Sequence, residues 1–216
     1  MLNANPIFEF RGPWGIPVQI AGNFILLPMI ILGLGGGHVD MYDVAFLLML
    51  ILSIFLHELG HAWGSLVQGL RVRRIVMFGG GGFCERGQSA TRSQDELIVA
   101  MGPIVNLVIW AVASMLAPMA TGDLAWGLWV LGSLNIWLAL FNLIPVHPLD
   151  GGKLFHLALA RLVPVRTAGL ISGGVGLLAV LLWIPMMFYA YQNFGFVLFF
   201  FPSFALHWQM LRERSY

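Results

Sequence analysis

A chain of 216 residues that is 59% hydrophobic and only 10% charged, with a mean hydropathy of +0.84, lies far from the roughly 25% charged composition of soluble domains. A water-soluble fold of this composition would aggregate, and a net charge of +1 without any basic block offers no face for a phosphate backbone, so nucleic acid is excluded as a partner. The single cysteine, Cys84, excludes an internal disulfide.

In chain order, residues 1–16 lack the basic start and small-residue cleavage site of a secretory signal, so the first apolar run is expected to stay as an anchor in the lipid bilayer. Six spans are predicted, at 16–34, 44–67, 97–119, 124–146, 168–189 and 194–208, the last interrupted by Pro202. Runs of 18 or more apolar residues suffice to cross roughly 30 Å of hydrocarbon at 1.5 Å per helical residue. Arg11 precedes the first span. Arg71, Arg73, Arg74, Arg86 and Arg92 lie between the second and third, Lys153, Arg161 and Arg166 after the fourth, and Arg212 and Arg214 at the end. These are all the Lys and Arg present, and the alternate connections contain none. The expected fold is therefore an all-α polytopic membrane protein of about six transmembrane helices with both termini cytoplasmic.

Between the second and third spans, Val72–Phe78 partly alternates apolar and basic residues and is followed by four glycines, Gly79 to Gly82. This predicts a short membrane-associated β-strand or hairpin. Residues 154–163 read as an amphipathic surface helix carrying His156. Without an internal repeat or linker, residues 1–216 read as a single domain.

His57 and His61 lie four residues apart in His57-Glu58-Leu59-Gly60-His61, so on a helix their imidazoles leave one face and can converge on one ion. Neutral imidazoles suit zinc, and the adjacent Glu58 can take a proton from a water attacking a carbonyl. An ionisable residue at the centre of a membrane helix costs about 2.5–3.5 kcal/mol on insertion scales. Zinc binding, worth roughly 10–16 kcal/mol in structural sites, offsets that cost. The competing reading is a pair of histidines that hydrogen-bond between helices without metal. Haem is excluded, because two histidines on one helical turn cannot take opposite faces of a porphyrin.

A catalytic zinc needs a third protein ligand. Asp150 is the strongest donor candidate, at the end of Asn142-Leu143-Ile144-Pro145-Val146-His147-Pro148-Leu149-Asp150-Gly151-Gly152. The predicted topology brings it to the depth of His57, and Pro145 and Pro148 break the helix there. The alternative is that Asp150 caps the helix that follows.

Three motifs together, the His57 to His61 run, Gly102-Pro103-Ile104-Val105-Asn106, and Asn142 through Gly152, resemble the site-2 protease family of intramembrane zinc metalloproteases over about residues 44–152. The resemblance implies zinc held by His57, His61 and Asp150, with Glu58 as general base and acid and Asn142 acting on the substrate carbonyl. It gives Asn106 a packing or positioning role and makes residues 72–83 a strand whose edge could pair with an unwound substrate. It implies cleavage of single-span membrane proteins within a prokaryotic cell membrane, and the chain has no room for a PDZ or nucleotide-sensing domain. The other class considered is a non-catalytic membrane protein that binds metal or transmembrane helices. Of the remaining histidines, His147 reads as a solvated loop residue, and His38 and His207 as interfacial. Cys84 reads as an inert thiol.

Overall fold

The computed structural model describes residues 6–33, 39–194 and 202–212. The chain divides into two compact units, 1–140 and 141–216.

In the first unit, β1 (Pro6–Arg11) and β2 (Pro17–Ala21) form a hairpin, followed by a short helix α1 (Leu26–Gly33). The long helix α2 (Met41–Leu66) leads to β3 (Val72–Phe78) and β4 (Gly81–Arg86), and then come α3 (Arg92–Leu116) and α4 (Gly122–Asn142), whose last turn passes into the second unit. Helices α2 and α3 both start at capping boxes. Asp40 accepts from the backbone N–H of Tyr42 and Asp43 while Asp43 reaches back, and Thr91 and Gln94 do the same for α3. Helix α2 gives way at Gly69, which takes φ +75°.

The four strands form one sheet in the order β1-β2-β3-β4, antiparallel except that β2 pairs parallel with β3. Strand alternation makes the sheet two-faced. Val18, Ile75 and Met77 pack with Ile16 on Ala62 of α2. On the other face a polar ladder crosses all four strands: Gln19 donates to Glu9 at 2.6 Å, Arg74 donates to Gln19 at 2.9 Å, and Arg74 pairs with Glu85 at 2.5 Å. That hydrogen bond from Arg74 holds the Glu85 carboxyl below the ordinary carboxylate range.

Among the described residues four helical stretches are long and apolar enough to cross a bilayer: Met41–Leu66, Arg92–Met119, Gly122–Asn142 and Val165–Tyr189. Their outer faces present Leu48, Val108, Trp129, Trp137 and Leu181, each more than half exposed, as lipid-facing surface must. These are the second to fifth predicted spans. The fourth stops at Asn142 rather than 146, because Pro145 cannot continue it.

The span expected at 16–34 takes a different form where it is described. Its first part is strand β2, and α1 has 8 residues, about 12 Å of helix, too short alone to cross. Of the last expected span, residues 195–201 lie outside those described; the 9-residue helix Phe204–Arg212 begins within the span and runs past its end. The predicted strand is present, with β4 as its hairpin partner. The hairpin β1-β2 has no counterpart in the sequence reading.

In the second unit, α5 (Asp150–Leu162) packs on α6 (Val165–Phe194), and α6 on α7 (Phe204–Arg212). Helix α5 is the amphipathic element expected at 154–163, extended by one turn at its start.

Candidate metal centre

Helices α2 and α3 make the most extensive helix pair in the first unit. Their approach is set by small residues: a Cβ on Gly60 would stand 2.6 Å from the carbonyl oxygen of Met101, and one on Gly64 would stand 2.9 Å from the Met101 side chain. Small residues at a membrane helix crossing let backbones approach where no hydrophobic force drives them together.

At this crossing α2 aligns Ser53, His57, His61 and Ser65 at four-residue intervals, all buried. The two imidazoles meet nearly edge to face, with centroids 4.8 Å apart. His61 Nδ1 lies 2.8 Å from the carbonyl oxygen of Ile98, and His57 Nδ1 lies 2.6 Å from Asn106 Oδ1. Both partners only accept, so each Nδ1 carries the proton and each Nε2 presents a lone pair. Those two Nε2 atoms are 3.1 Å apart. Two lone pairs so placed in a buried site call for a positive charge between them, a proton or a metal ion. Two Zn–N bonds of about 2.0–2.1 Å at a tetrahedral angle set the nitrogens about 3.3 Å apart, so the pair fits zinc.

Gly102 makes room for this arrangement. A Cβ there would lie 2.5 Å from His61 Cε1 and Nε2 and 2.6 Å from His57 Nε2. Glu58 is 5% exposed and is covered by the β3–β4 hairpin, where a Cβ on Gly82 would stand 2.6 Å from Glu58 Cγ. The glycines after β3 therefore serve a close approach to a carboxylate as well as a turn.

Asp150 is 4% exposed, the first residue of α5, and its Oδ1 pairs with Lys153 Nζ at 3.2 Å. The cap position belongs to Leu149, so the alternative in which Asp150 caps the helix gives way to a buried first-turn carboxylate favoured by the helix dipole. Gly151 and Gly152 let the segment 143–147 fold back over the start of α5, since a Cβ on either would run into its backbone. Asn142, the last residue of α4, is half-buried.

Two histidines read as solvated or interfacial are drawn at least partly into the packed interior. His207 has 0% exposure; its Nδ1 donates to the Ser203 carbonyl at 2.7 Å and its Nε2 accepts from the His147 backbone N–H at 3.2 Å. His147 is half-buried, and burial, then the imidazoles of His207 and His156, hold its pKa down to about 4. His38 lies outside the described residues. Sequence reasoning also missed Asn135 and Ser53, which continue the polar chain behind His57. The available signal was spacing: Ser53 is one helical turn before His57, and Asn135 two turns before Asn142.

Buried histidines paired on a helix long and apolar enough to cross a membrane, beside a carboxylate under a strand hairpin, define a multi-pass membrane protein with a candidate metal centre. Residues 45–124 and 112–182 match the model of peptidase family M50, and the chain belongs to that family. It is 27% identical over 164 residues to a zinc metalloprotease of Methanocaldococcus jannaschii, covering 75% of this chain and 48% of that protein. It is 30% identical over 191 residues to stage IV sporulation protein FB of Bacillus subtilis, covering 86% and 63%. The chain thus spans about half to three-fifths of the length of these relatives. Its fold is that of a site-2 protease from Methanocaldococcus jannaschii, with a TM-score of 0.70 at 23% identity over 97% of both chains.

Proposed function

We propose that this chain is a single zinc-dependent intramembrane endopeptidase domain that cleaves transmembrane or membrane-proximal segments of single-span membrane proteins, as in regulated intramembrane proteolysis. The observation that carries the reading is the pair of Nε2 atoms 3.1 Å apart on the turn that also carries the buried Glu58. Relatives named as zinc metalloproteases support zinc as the ion. His57 and His61 would hold it, with Asp150 as the third ligand. When bound, zinc supplies Lewis acidity to the scissile carbonyl and to water.

Glu58 takes the proton of the attacking water and returns it to the leaving amide nitrogen. Asn142 donates its side-chain N–H to the carbonyl oxygen as charge develops there. Because β3 pairs with both β2 and β4, the strand edge offered to a substrate that must leave its helical form to expose a peptide bond is that of β4. An apolar recess of about 220 Å³ between α2 and the β1–β2 side of the sheet, lined by Phe10, Ile20, Leu52, Phe55 and Met77, suits an apolar segment.

The proposed orientation places the basic connections and both termini in the cytoplasm of a prokaryotic cell. The parallel pairing of β2 with β3 supports an additional crossing before α2. The chain leaves β2, must reach the far end of α2, and returns through that helix, about 39 Å long, to re-enter the same sheet.

Detergent-purified protein is expected to contain one zinc per chain and to cleave a single-span substrate. A chelator should stop cleavage and added zinc should restore it, while Asp150→Ala should lose stoichiometric zinc. Wild-type protein without zinc, or chelator-resistant cleavage, overturns the reading; zinc retained at wild-type affinity by Asp150→Ala removes Asp150 from the ligand set.

A further inference from the structure

Behind His57 a chain of buried amides runs across three helices of the first unit, and each link has a forced direction. Ser53 Oγ lies 2.7 Å from the Met49 carbonyl, which only accepts, so the hydroxyl proton is spent there and Oγ is left as an acceptor. Asn135 has one amide atom 2.9 Å from the Leu131 carbonyl and 2.8 Å from Ser53 Oγ. Facing two acceptors, that atom is the nitrogen. Asn135 Oδ1 must then face Asn106, whose Nδ2 donates to it at 2.7 Å and, more distantly, to the Ser53 carbonyl at 3.5 Å. With its nitrogen so engaged, Asn106 presents Oδ1 to His57 Nδ1.

We propose that Asn135 is a positioning residue that sets the tautomer of His57 through Asn106, so that the Leu131 and Met49 carbonyls on two helices dictate which imidazole nitrogen is offered to the metal. Ser53, Asn106 and Asn135 are all 0% exposed, so no solvent competes to reverse an amide, and reversing any one would set acceptor against acceptor along the row. The sense of the row does not depend on a metal. Only its consequence for binding rests on the reading of His57 as a ligand.

The test compares wild type with Asn135→Leu, which removes the acceptor for Asn106, and Asn135→Asp, which keeps an oxygen there and, as the neutral acid that full burial favours, a donor toward Leu131 and Ser53. Nitrogen-15 NMR of zinc-free, histidine-labelled protein in detergent, with the His57 signals identified by their loss in His57→Gln, reports the tautomer directly. Wild type and Asn135→Asp should show His57 protonated at Nδ1, and Asn135→Leu a mixture. Zinc affinity, measured by competition with a chelating dye, should fall about tenfold in Asn135→Leu, the lower end of what partners behind a ligand contribute, and stay within about threefold in Asn135→Asp. An unchanged tautomer and unchanged affinity in Asn135→Leu overturn the proposal; if that variant does not fold, Asn135→Ala is read against the same criteria. A wild type that binds no zinc would count against the metal reading, while the tautomer measurement still decides this one.

Discussion

Glu58→Gln should reduce cleavage of a single-span substrate by at least 10²–10⁴-fold, the usual contribution of a positioned general acid–base group, while one zinc per chain and the thermal midpoint are retained. The amide keeps the shape of the carboxylate, so the contact with Gly82 and the packing of the hairpin survive. It cannot accept the water proton, and both proton transfers of the proposed reaction use that one group. Loss of zinc along with activity would assign Glu58 a structural part instead. Cleavage at the wild-type rate would remove it from the chemistry.

Gly102→Ala is expected to be nearly as severe, although it adds a single methyl at a residue without functional groups. The added carbon would sit within 2.6 Å of both Nε2 atoms, and neither ring can yield while its other nitrogen is held by Asn106 and by the Ile98 carbonyl. Overpacking of this kind costs about 1–3 kcal/mol. The expected result is protein purified without stoichiometric zinc and with a lowered thermal midpoint. Gly127→Ala, where an added Cβ meets nothing within 4 Å, should change neither quantity. Full zinc occupancy in Gly102→Ala would mean that the helices do not cross as closely as described.

What could be read from the sequence was what hydropathy and fixed spacing encode. Four long apolar helices, the strand at Val72–Phe78 and the alignment of His57 with His61 follow from local periodicity, and the structure has each of them. The hairpin β1-β2 escaped because residues 16–34 are apolar enough to read as one span, which hid the alternation of Val18, Gln19 and Ile20. Its place beside β3 depends on pairing Val18 with Ile75, a contact no local window contains. The burial of His207 was likewise out of reach: it depends on Gly176 admitting the ring against α6. The amide row behind His57 was half legible, since Asn106 stood in a recognised motif. Asn135 looked like any asparagine on an apolar helix until its neighbours were known.

The parallel pairing of β2 with β3 also fixes an order of events during synthesis. Residues 17–21 leave the ribosome well before their partner at 75–77, with the whole of α2 still to come, so the amino-terminal ribbon waits with one edge open until that helix has been inserted. A stall that lets α2 leave the ribosome but holds residues 75–77 back should therefore leave a membrane-inserted nascent chain whose first strands are open to proteases, and release of the stall should protect them.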